Sequence, residues 1–121
     1  MTRVAAVLLA LLAAGSAAGH SLAPADVIAA IRSDPSWGAL VTDVARDPRE
    51  PRLLVVRAGR GWRDAPPARR LAAADAWRAH WRGAVPGGIV GVIDAATGRT
   101  LVNYDARGRA RLTSPTPRPA E

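Results

Sequence analysis

Two short apolar runs constrain what this chain can build. Arg52-Leu53-Leu54-Val55-Val56-Arg57 is an aliphatic stretch with an arginine at each end, and Ile89-Val90-Gly91-Val92-Ile93 has the same character further along. Each is shorter than the roughly 10–12 residues expected of a helix. Both are rich in branched side chains, which suit a pleated surface. A run without polar alternation reads as a strand buried on both faces, or one at the centre of a sheet.

Between them lies a helix pattern. Gly59-Arg60-Gly61 closes the first run, and Asp64-Ala65-Pro66-Pro67 reads as a helix start: a carboxylate able to accept amide protons, then prolines in the first turn. The helix is expected to reach about Arg82, with Ala74, Trp77, Trp81 and Ala84 on one stripe and Leu71 at its edge. Gly83 and Pro86-Gly87-Gly88 end it. Asp94-Ala95-Ala96-Thr97-Gly98 is a hairpin turn in which Gly98 takes the left-handed conformation, returning the chain through Arg99–Tyr104. A final strand over Arg107–Leu112 is expected.

Upstream, Pro24–Ile31 reads as a short helix with Val27, Ile28 and Ile31 on one face. Ser33-Asp34-Pro35-Ser36 breaks it. The segment 37–46 is open to two readings. Trp37, Leu40, Val41 and Val44 fit helical spacing, whereas Gly38 and the branched set Val41, Thr42 and Val44 favour a strand. The strand is preferred, with Asp47–Pro51 as a hairpin loop. The resulting order, without regular strand–helix alternation, implies an α+β fold: a small two-layer domain of one or two helices on a largely antiparallel sheet of four to five strands.

The chain begins with the pattern of a secretory signal peptide. Met1-Thr2-Arg3 is positively charged, Val4–Ala14 is apolar, and Gly15–Gly19 is a small-residue stretch suited to cleavage. The apolar run falls short of the roughly 20 residues that span a bilayer. Residues 1–19 are therefore read as a leader, 20–112 as a single exported domain in the periplasm or outside the cell, and 113–121, with its prolines, as a disordered tail. With no cysteine, the domain rests on packing and hydrogen bonds, and thiolate zinc sites are excluded.

The net charge is +7, and all 17 basic residues are arginine. Arginine, alanine, glycine and proline share G+C-rich codons, so coding bias explains part of that excess. For an exported domain, an acidic envelope protein or anionic surface fits this charge better than nucleic acid.

No catalytic motif is present: Gly-x-Ser-x-Gly, a phosphate loop and His-Glu-x-x-His are all missing. Three groups of side chains remain to be weighed. Trp77 and Trp81, four residues apart, suit core packing more than an aromatic binding surface, while Arg78 and Arg82 flank them as candidate contact residues, with Asp75 as a solvated ion partner. Arg107, Arg109 and Arg111 would share one face of an extended strand, either as an anion-binding row or as a charged edge that resists aggregation. Asp94 and Asp105 stand beside glycine turns, where aspartate bonds the local backbone.

Two functions from different classes follow. The first is a non-catalytic binding or accessory module, using Asp47–Arg52, Gly59–Arg63 or the Arg107–Arg111 row. The second is a copper-binding protein: His20, at or near a new N-terminus, with His80 would supply the tetragonal nitrogen ligands that Cu(II) favours. An enzyme of another kind would need Tyr104, Asp105 and His80 in one pocket.

Overall fold

The computed structural model describes residues 23–113. The expected leader and cleavage stretch over residues 1–19, His20, and residues 114–121 of the expected tail lie outside the described residues. Within them run α1 (Pro24–Ser33), a 3-10 turn (Pro35–Trp37), β1 (Val41–Arg46), β2 (Leu53–Ala58), α2 (Arg60–Asp64), α3 (Pro67–Ala84), β3 (Ile89–Asp94), β4 (Thr100–Tyr104) and β5 (Ala110–Leu112).

The five strands form one sheet in chain order. Short turns join β1 to β2, β3 to β4 and β4 to β5, and each of those pairs is antiparallel. β2 and β3 are parallel, Leu53 opposite Ile89 and Val56 opposite Val92, because α2 and α3 supply the long crossover that a parallel pair needs. Three helices on a mostly antiparallel open sheet make this the expected α+β domain.

Alternation along the strands decides where the core lies. Val44, Leu54, Val56, Ala58, Val90, Val92 and Val102 are buried with Val27 and Ile31 of α1, Trp62 of α2, and Ala73, Ala74, Trp77 and Trp81 of α3. The intervening residues Leu53, Val55, Ile89 and Ile93 project from the opposite face and are not packed into that core. The expectation that both aliphatic runs are buried on two faces therefore holds on one face only. Their uninterrupted apolar character reports a central place in the sheet.

Several local expectations are refined by competing interactions. The segment 37–46 divides: the Asp34 carboxylate accepts from the Ser36 amide (2.8 Å), winding the 3-10 turn that carries Trp37, and the strand begins at Val41. Asp64 ends α2 and does not cap α3. The buried Trp62 holds Arg60–Asp64 as a helix of its own, and α3 starts after Pro66, which lacks a side-chain cap. The last strand shrinks to Ala110–Leu112, since the Asp105 carboxylate takes the amides of Arg107 (2.9 Å) and Arg109 (3.0 Å) and Gly108 turns the chain with φ 81°. Gly98 adopts φ 75° as expected, and its amide donates to the Asp94 carbonyl (2.7 Å).

β1 is an edge strand. The Asp47 backbone amide donates to the Leu53 carbonyl (2.9 Å), a phase that turns the Val44 carbonyl away from β2. Arg32 of α1 reaches round the edge, donating to that carbonyl (2.7 Å) and pairing with Asp43 (3.3 Å).

Candidate binding surfaces

Three of the four tryptophans are core residues: Trp62, Trp77 and Trp81 are all at most 2% exposed. Trp62 stacks on Trp77 at 6.0 Å, and Trp37 meets Trp77 edge-on at 5.9 Å. The Trp81 Nε1–H donates to the Arg52 carbonyl (2.7 Å), and the Arg46 guanidinium lies 5.5 Å from the ring centroid. Trp77 Nε1 has no hydrogen-bond partner among the described residues. The helix stripe is thus structural.

His80 is exposed and sits edge-on to Trp37 at 6.0 Å, at the side of a cleft of about 160 Å³ lined by Val27, Ala30, Ile31, Asp34, Trp37 and His80. Neither Tyr104 nor Asp105 lines it, so the three residues of the enzyme reading do not share this cleft. No group of three or more His, Cys, Asp or Glu side chains is arranged to hold a metal among the described residues.

Tyr104 is tied into the fold. Its hydroxyl donates to the Ala74 carbonyl (2.9 Å), and burial, reinforced by the nearby Asp75 charge, pushes its ionisation well above the ordinary range. The Asp94 carboxyl is held below its usual value by the Ala96 amide (2.9 Å), with Arg63 nearby at 3.3 Å. Asp105 is lowered in the same way by the Arg109 and Arg107 amides, with Arg111 at 3.4 Å. Both aspartates serve turns, as their glycine neighbours implied.

The arginines of the expected row do not alternate along one strand. Only Arg111 lies in β5, while Arg107 and Arg109 occupy the preceding turn. Arg78 of α3 nonetheless comes up to the turn that holds Arg107 and Arg109. Its guanidinium lies under that turn, so close that a Cβ on Gly108 would stand 2.6 Å from Cζ, and 5.8 Å from the Tyr104 ring centroid. Asp75, expected to pair with Arg78 and Arg82, instead accepts from the Ala110 amide (2.9 Å), and Arg82 reaches the Gly88 carbonyl (3.4 Å). This end of the sheet is therefore basic: Arg107 and Arg109 lie in the turn, Arg78 comes up to Gly108 from the helix side, and Arg111 follows on the opposite face, with Arg82 elsewhere on α3.

The other two candidate loops are partly neutralised. Arg52 pairs with Glu50 (3.0 Å), and Arg63 pairs with Asp94 beside a cleft of about 230 Å³ that Arg60 also lines. The feature that sequence reasoning missed is a sheet face that no described helix covers. Its clue is the aliphatic character of alternate residues in both runs, which burial on two faces would equally explain. Among the described residues no helix is long and apolar enough to cross a membrane. The chain matches no known protein family, no curated protein and no solved structure.

Proposed function

We propose that this chain is an exported, non-catalytic binding module that engages an acidic protein. The observation that carries this reading is the basic β4–β5 end of the sheet, where Arg107 and Arg109 in the turn are flanked by Arg78 of α3 on one side and Arg111 of β5 on the other. Asp105, the carboxylate at its centre, is already engaged by two backbone amides and Arg111. The four guanidinium groups outnumber the two carboxylates there, Asp105 and Asp75, so this end keeps a positive surplus that steers association with acidic partners. The leader-like residues 1–19 support export.

The test is retention of the protein on immobilised polyglutamate as ionic strength rises. Surface attraction of this kind weakens as the screening length falls from about 30 Å at 0.01 M to about 8 Å at 0.15 M salt. Steep loss of retention, and weaker retention of an Arg107→Glu/Arg109→Glu variant, are expected. Salt-insensitive retention, or none at low salt, would overturn the reading.

A further inference from the structure

We infer that the uncovered face of the sheet is a docking surface for an amphipathic helix of an acidic partner protein. Leu53 and Val55 of β2 and Ile89 and Ile93 of β3 form its centre, on the parallel pair. Ile89 is 44% exposed, large for a branched aliphatic side chain, and none of the four packs against the core among the described residues. Gly91 lies between them, opposite Val55, and the Leu53 Cδ1 leans to 3.6 Å from where a Gly91 Cβ would stand. The centre is therefore a shallow aliphatic floor. Strands apolar on both sides are characteristic of sheets covered on both faces, usually by helices.

Charge selects the occupant. Arg57 follows Val55 on the same face, and Arg111 of β5 projects from it beside Asn103. The carboxylates nearby are already engaged: Asp43 by Arg32, and Asp105 by Arg111 and two amides. Arg57 makes no ion pair among the described residues, and the carboxylate opposite it on β1, Asp43, is the one held by Arg32. A helix with an aliphatic stripe and flanking glutamates or aspartates would cover the floor and neutralise Arg57. A second copy packed face to face would instead bring like arginines together, with Asp43, the carboxylate opposite Arg57, already committed to Arg32. A bilayer surface is disfavoured because no Trp or Tyr ring is placed on this face, whereas membrane interfaces favour such rings. The inference rests on the proposed acidic partner and adds the apolar half of its recognition.

The isoleucines provide a built-in reporter: Ile89 and Ile93 lie on this face, and Ile28 and Ile31 lie in α1. The full exported chain, labelled at isoleucine methyls, is titrated with a synthetic helical peptide carrying a leucine stripe flanked by glutamates. Polyglutamate of equal length and phosphatidylglycerol vesicles are the comparison probes. Saturable shifts at Ile89 and Ile93 but not at Ile28 or Ile31 are expected with the peptide alone. Ile89→Asp should weaken it at least about tenfold, equivalent to about 1.4 kcal/mol. Ile93→Ser provides a second, milder variant, and circular dichroism checks that both are folded.

Equal binding of peptide and polyglutamate, indifferent to Ile89→Asp, would overturn the docking face and leave the acidic-partner reading standing. No binding of either at low salt would overturn both. Methyl shifts on vesicles alone, a dimer that Ile89→Asp dissociates, or contacts from residues 1–22 or 114–121 to Ile89 would each assign the face to another occupant.

Discussion

Trp77 and Trp81 lie one turn apart on α3, are equally buried, and differ in one respect: the Trp81 Nε1–H is hydrogen-bonded to the Arg52 carbonyl at 2.7 Å, and the Trp77 Nε1–H is not bonded among the described residues. Replacing either with phenylalanine removes the outer part of the fused ring together with its N–H, a packing loss of about 2 kcal/mol. At Trp81 the lost hydrogen bond adds about 1 kcal/mol. The Arg52 carbonyl is not orphaned, since the Ile89 amide still donates to it (2.8 Å). At Trp77 the substitution removes an unsatisfied buried donor, whose burial costs about 1–3 kcal/mol, so most of the packing loss is offset. Trp81→Phe should therefore destabilise by about 3 kcal/mol, and Trp77→Phe by less than about 1 kcal/mol. Equilibrium urea unfolding reads this directly: the two midpoints should differ by about 1–2 M at ordinary slopes for a domain of this size. Equal midpoints, or a lower one for Trp77→Phe, would refute the assignment of an orphaned indole N–H.

Two glycines should fail for opposite reasons. Gly61→Ala drives a Cβ into the Ala39 carbonyl and should cost about 3 kcal/mol with no relief from other small residues, whereas Gly98→Ala meets no atom within 4 Å and should cost about 1–2 kcal/mol from its φ of 75°, partly recovered by asparagine. Thermal melts of the three variants check this. The Tyr104 ionisation is raised by burial, so its stabilising contribution is full below the ordinary value of 10.0 and fades as pH rises above it, because the unfolded chain ionises first. Phenolate absorbance should then appear together with alkaline unfolding, and an earlier reversible titration in the folded protein would contradict it. Tyr104→Phe should cost about 1 kcal/mol through the lost bond to Ala74. Asp105→Ala frees the Arg107 and Arg109 amides and should abolish hydrogen-exchange protection of the Thr113 amide, which bonds the Leu101 carbonyl, while leaving β2 protected.

Much of the fold was legible because it depends on local chemistry. Gly98 and Asp94 specified a turn, Pro24 a helix start, and the branched runs two strands, each through preferences that the surrounding fold reinforced. The misjudged boundaries are places where a distant partner intervened. Trp62 entering the core made a helix of Arg60–Asp64, and Asp105 drew Arg107 and Arg109 out of extended geometry. The basic end of the sheet was half legible: Arg107, Arg109 and Arg111 were visible as neighbours, but the approach of Arg78 to Gly108 depends on how α3 crosses the sheet. The bare face was hidden because an aliphatic run looks the same whether its second side is covered by the chain itself or left open.

Arg32 has a consequence beyond its ion pair. A sheet that ends in open backbone acceptors can be lengthened by the next molecule, strand against strand, without limit. By occupying the outward carbonyl of Val44, Arg32 closes that end with a side chain that carries charge and cannot itself propagate a ladder. Growth from the β1 side would first have to displace a guanidinium bound to both carbonyl and carboxylate. In a domain with no disulfide to hold its shape, this one arginine guards the β1 end of the sheet against lengthening by a neighbour's strand.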